Sequence, residues 1–206
     1  MSSFRRTSGG VTARFAKPEA IVIRDLVAQV IELVTDAAPG AAAAAPMPGQ
    51  ADAAGVGDPP LRPGEGDVPD AEALEAMVGM TGSAAVPDDP VLARLLPSAY
   101  TDDDDAAGEF RRFTESGLRA AKVDAARTLL ASLPSSGGRV RLTRDQAEAW
   151  LRSLNDVRLA LGVRLGVTDE FDGLSENARP DDPRYAYIQI YRWLAYIQGS
   201  LVAALS

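Results

Sequence analysis

The sequence predicts a mainly α fold: a helical bundle of about four main helices with a small antiparallel β element. Three observations carry this reading. Hydrophobic residues make up 46% of 206 residues, enough for a core of ordinary size. Four long stretches repeat their apolar residues at helical spacing, and two short ones beside glycine turns alternate apolar with basic residues.

The best-defined stretch is GGRVRLTRDQAEAWLRSLNDVRLALGVRLGV, residues 137–167. Gly137 and Gly138 mark a turn, and alternation over 139–142 reads as a half-buried strand with Val140 and Leu142 inward. Thr143 fits a helix N-cap, with Gln146 three residues on to complete a capping box and Asp145 in the first turn. Ala147, Trp150, Leu151, Leu154, Leu161 and Leu165 share one helical stripe, and Gly166 is placed to end the helix. Leu159 and Val163 add apolar surface elsewhere, so this helix should touch neighbours on several sides and act as the hub.

The other elements follow in chain order. Residues 4–15 read as a hairpin turning at Ser8-Gly9-Gly10, for which strand 139–142 would be a third partner, since isolated two-stranded ribbons are marginal. Pro18 opens a helix over 18–35, with Ile23, Leu26, Val27, Val30 and Val34 periodic. Residues 37–69 are rich in alanine, proline and glycine with almost no bulky apolar residue, so this stretch reads as a disordered linker. Two short helices are expected over 71–78 and 90–96, and a long one over 106–133. Phe110, Phe113, Ala121, Ala125, Leu129 and Leu133 form the long helix's apolar stripe, and Glu115–Arg119 is a supporting i,i+4 pair. The last helix spans 183–205 on a stripe of Tyr187, Ile190, Tyr191, Leu194, Ile197 and Leu201. Its aromatic content suits large contacts, made within the chain or across a homodimer. The domain reading is therefore one helical domain in two parts, 1–36 (hairpin and first helix) and 70–206, joined by the linker 37–69.

Composition narrows the chemistry. The chain has no cysteine and no histidine, which removes thiolate and imidazole ligands, thiol redox switches and histidine-based triads. No catalytic, cofactor-binding or metal-binding residues are assigned, and an enzyme is not expected. The acidic run at Asp102 to Asp105 lacks the alternation and glycine of a calcium loop and reads as a helix start. No leader or membrane-spanning pattern is evident, so a cytoplasmic protein is expected. Net charge is −8, but residues 36–109 hold 15 acidic against 2 basic side chains, and the remainder carries a balance of +5. DNA binding is weakly supported, because no recognition-helix motif stands out.

Two candidate groups emerge. Arg5, Arg6, Arg14, Arg139, Arg141 and Arg144 would form a basic face if the hairpin and strand 139–142 share a sheet. Alternate arginines also keep a small sheet soluble, and both readings stand at this point. Asn155 and Arg158 interrupt the apolar stripe of the hub helix and read as a structural polar core, with Arg158 needing a carboxylate or helix-end carbonyls.

The blocks GGRVRLT, AEAWLRSLNDVRLALGVRLGV and YIQIYRWLAYIQGSLVAAL, with the basic hairpin and LARLLPSAYTDDDD, resemble the actinobacterial AosR family of oxidative-stress transcriptional regulators. That family was long known as a domain of unknown function and is often encoded beside the Clp adaptor ClpS. The resemblance covers nearly everything but the linker and contains no catalytic signature. It implies a regulator acting through a protein partner in the transcription machinery, RNA polymerase or a sigma factor. Gene neighbourhood implies the alternative, an interaction module of ClpS/Clp proteolysis. Without cysteine, oxidant sensing cannot run through thiols of this chain. Met47, Met77 and Met80 read as packing or linker residues.

Overall fold

A computed structural model of the chain describes residues 2–36, 87–99, 103–167, 179 and 184–206. Three strands and five helices lie in these residues: β1 (Arg5–Thr7), β2 (Gly10–Phe15), α1 (Lys17–Asp36), α2 (Pro90–Leu95), α3 (Asp104–Ser132), β3 (Gly138–Leu142), α4 (Arg144–Leu165) and α5 (Tyr185–Leu205). The protein is mainly α with a small antiparallel sheet. The linker 37–69 and the helix expected over 71–78 lie outside the described residues.

The strands order β1-β2-β3, antiparallel throughout, so the strand from mid-chain does complete the N-terminal hairpin. Val11 pairs with Leu142, Ala13 with Val140 and Phe15 with Gly138. That register puts Val11, Ala13, Phe15, Val140 and Leu142 on one buried face. Gly10 adopts φ 144°, and a Cβ there would lie 2.0 Å from the Leu142 carbonyl oxygen, so only glycine fits where the hairpin meets the end of β3.

Helix α4 is the hub, touching α1, α2, α3 and α5 as well as the inner strands. Both of its ends follow from the sequence. Thr143 accepts from the Gln146 backbone and Gln146 reaches back to the Thr143 N–H, while Gly166 closes the helix in the left-handed conformation at φ 67°. Trp150 lies at the centre, fully buried against Phe4 and Phe15 with ring centroids 5.6 and 5.7 Å away. Its indole N–H donates to Ser132 Oγ at 2.7 Å, which ties α3 to the same point. The N-terminus also reaches α5: the Phe4 N–H donates to Ser200 Oγ at 3.0 Å.

Two helices depart from the expected buried stripe toward their N-terminal ends. On α3, Phe110 and Phe113 are exposed at 45% and 54%, whereas Ala107, Arg111, Glu115 and Arg119 face inward. Only the second half of the expected stripe, Ala125, Leu129 and Leu133, is buried; Ala121 faces solvent. The cause is the company α3 keeps at its N-terminal half. The Val34 carbonyl in the last turn of α1 and the Leu96 carbonyl after α2 are helix-end acceptors, which need donors when buried. Arg119 and Arg111 supply them. On α5, Ile188 is buried and Tyr187 exposed, while Leu194, Ile197 and Leu201 face the core as expected.

Candidate functional site

Among the described residues, the outer face of the sheet brings four exposed arginines together without an ion pair. Alternation on β2 and β3 turns Thr12, Arg14, Arg139 and Arg141 away from the core, and Arg5 joins them by pairing with Thr12. The register arranges them in two rows: Arg5, Thr12 and Arg141 across the three strands, and Arg14 beside Arg139 in the next. All four arginines are exposed, and none has an ion pair among the described residues. The strands contain no carboxylate. With strands about 4.8 Å apart and alternate residues about 6.8 Å apart, the patch measures roughly 10 by 7 Å at the backbone. Arg14 and Arg139 are direct cross-strand neighbours, a like-charge pairing that costs stability.

Two of the six arginines predicted for this face are elsewhere. Arg6 pairs with Val11 and so has the inward parity; its Nε donates to the Ala204 carbonyl at 3.1 Å, in the last turn of α5. There it satisfies a carbonyl that the helix leaves without a partner. Arg144 stands in the first turn of α4 and pairs with Glu148 at 3.2 Å. At the opposite end of the sheet Arg14 and Lys17 border an open depression with Ser2, Glu19 and Gly137. Glu19 is occupied in capping α1, accepting from the Ala16 N–H and the Ser2 hydroxyl at 2.6 Å each.

Asn155 and Arg158 both meet Gln198 of α5 in a half-buried polar contact. Arg158 donates to Gln198 Oε1 at 2.6 Å, and Gln198 Nε2 donates to Asn155 Oδ1 at 3.3 Å. An amide on α5 thus takes the place of the carboxylate or helix-end carbonyls expected for Arg158. The buried carboxylate is the next residue along, Asp156, which receives Lys122 Nζ at 2.7 Å across the α3–α4 interface. Burial holds the Asp156 carboxyl above its ordinary range, and Lys122 acts in the opposite direction.

A third polar group is Arg111–Glu115–Arg119, of which the sequence reading includes only Glu115–Arg119, as a supporting i,i+4 pair. Glu115 Oε1 sits 2.7 Å from Arg119 and Oε2 3.4 Å from Arg111, with all three side chains buried. The signal was present: three charged residues at i, i+4 and i+8 in phase with the buried Ala107. At the N-terminus of the same helix, the Asp103 side chain accepts from the Ala106 N–H, so this member of the acidic run is a helix cap. Among the described residues no group of three or more carboxylates is placed to hold a metal ion. No helix among them is long and apolar enough to cross a membrane.

Among the described residues the helical bundle leaves no buried side-chain polar atom without a partner and turns a cationic sheet face outward. The chain belongs to the family described as a domain of unknown function, DUF2017, whose model matches residues 1–205. It is similar to the oxidative stress regulator AosR of Mycobacterium tuberculosis H37Rv and to that of Mycobacterium bovis, 38% identical over 146 residues in each case. The alignments cover 64% of this chain and 66%, just under two thirds, of those relatives. No solved structure matches the chain.

Proposed function

We propose that this chain is a non-enzymatic regulatory protein of the oxidative-stress response, acting on transcription through a protein partner, RNA polymerase or a sigma factor. The observation that carries the reading is the 38% identity to proteins named oxidative stress regulators, together with the family model's match over residues 1–205. The fold is compatible with the role: its buried ionisable groups are held in pairs, and its unpaired charge is on an outer surface. Because the chain contains no cysteine, the oxidant signal does not enter through thiols of this chain.

The deciding experiment is a cross-linked purification of the tagged full-length chain from its native cell, with and without oxidant, beside a transcript comparison on deletion. RNA polymerase or a sigma factor is expected in the cross-linked fraction, with altered oxidative-stress transcripts in the deletion strain. Finding neither overturns the proposal. Recovery of ClpS or a Clp ATPase in their place would move the chain to proteolysis.

A further inference from the structure

We infer that the outer face of the β1-β2-β3 sheet is a docking surface for an acidic polypeptide segment, read by Arg5, Arg14, Arg139 and Arg141. This deepens the proposed function by naming the surface a protein partner meets, and it rests on that reading only for who the partner is.

Three features of the sheet support it. First, the four guanidinium groups are exposed on one face, with no carboxylate on any of the three strands and no ion pair among the described residues. Elsewhere the described arginines that lie at interfaces do find acceptors: Arg24 at the Leu130 and Leu133 carbonyls, Arg111 and Arg119 at Glu115, Arg158 at Gln198. Second, Arg14 and Arg139 stand directly opposite each other. A solubility role is met equally well by a mixture of signs, whereas this pairing is relieved by an anion placed over both. Third, Thr12 stands between Arg5 and Arg141 with its hydroxyl turned to the Val140 carbonyl at 2.8 Å, so the centre of the patch is low and the arginines form its walls.

The chemistry favours carboxylates on a polypeptide over the phosphates of a nucleic acid. The patch is compact, roughly 10 by 7 Å, and suits two to four anions spaced about 6–7 Å apart, as alternate residues of an extended segment are. It contains no aromatic side chain on which a base could stack, since Phe15 faces the core. The chain's net charge of −8 opposes the approach of an extended polyanion, while a short acidic segment needs only the local field.

The test uses the full-length chain and a fluorescein-labelled dodecapeptide of alternating glutamate and serine, read by fluorescence anisotropy at 50 mM NaCl. A glutamine-for-glutamate peptide and a random-sequence DNA duplex serve as competitors for the same assay. Saturable binding of the acidic peptide is expected, weakened at least about tenfold by Arg139→Glu/Arg141→Glu. The control Arg127→Glu/Arg152→Glu makes the same change of net charge on exposed positions of other helices and should leave the affinity within about twofold. Arg14→Thr supplies a folding-independent check: it should weaken binding while raising the melting temperature by up to about 3 °C, because a like-charge pair is removed. Equal loss in the control variant, no binding of the acidic peptide, or tighter binding of the duplex through the same arginines would each overturn the inference. If the chain carrying Arg139→Glu/Arg141→Glu still captures RNA polymerase, the docking surface is wrong and the regulator reading survives. If peptide binding holds but no transcription protein is captured, the reverse is true.

Discussion

Asp156 is the residue whose environment makes the clearest demand on pH. Its carboxyl is buried between α3 and α4, and desolvation holds its pKa above the unfolded value of 3.8 despite the Lys122 ammonium at 2.7 Å. A carboxyl raised in the folded state binds its proton more tightly there than in the unfolded chain. Its contribution to stability is therefore fully present below pH 3.8 and is lost as pH rises through the raised value. Replacing it with asparagine removes that dependence. Urea midpoints of the natural chain, minus those of Asp156→Asn, should fall as pH rises above 3.8 through the raised value, and a flat difference would show that Lys122 fully offsets burial. Glu115 poses the opposite problem, because among the described residues it is the one carboxylate paired with two buried guanidiniums. Glu115→Ala should cost about 3–5 kcal/mol, since Arg111 and Arg119 are left charged and enclosed. Replacing all three with apolar residues of similar volume should cost much less or even stabilise, and denaturant melts of the two variants compare the cases directly.

Among the elements, the sheet and the hub helix were legible from local chemistry, and α3 was not. Thr143, Gln146 and Gly166 define α4 because caps and left-handed closures depend on neighbours in sequence, and alternation over Arg139 to Leu142 sets a face without reference to the rest of the fold. In α3 the apolar residues at Phe110 and Phe113 argue for one buried face, whereas the fold buries Arg111, Glu115 and Arg119 instead. What decides between them is the position of two carbonyls, Val34 and Leu96, on other helices. Periodicity within one helix contains no information about those acceptors. The basic face was legible in the same partial way. Parity put Arg14, Arg139 and Arg141 outward, but the assignment of Arg6 required knowing that β1 runs beside the end of α5. Gly10 marks the point where β2 passes the end of β3. Gly10→Ala forces a Cβ onto the Leu142 carbonyl oxygen in a backbone conformation that alanine avoids. Loss of amide protection across β2 and β3, with α4 amides less affected, is the expected hydrogen-exchange result.

At the scale of the molecule, the two ends of the chain complete one another's structure. The first 36 residues supply two strands of the sheet and α1, while β3 and the remaining described helices come from residues after 86. Phe4 and Phe15 close over Trp150, the Phe4 N–H donates to Ser200, Arg6 caps the Ala204 carbonyl, and Arg119 serves Val34. The buried core runs through both parts without a seam. We propose that the two parts fold as a single cooperative domain, because the shared core leaves neither part able to bury its apolar surface alone. Cutting the chain within residues 37–69 therefore separates the halves covalently but leaves their mutual contacts available. The fragments 1–36 and 70–206, produced separately, should each lack a cooperative melt and the near-ultraviolet signal of a packed Trp150. Mixed at equal concentration, they should recover both, with a melting temperature that rises with concentration because association is now bimolecular. If 70–206 alone melts cooperatively with Trp150 in its native environment, the hairpin and α1 are accessory, and the sheet face would have to assemble on a domain already folded without it.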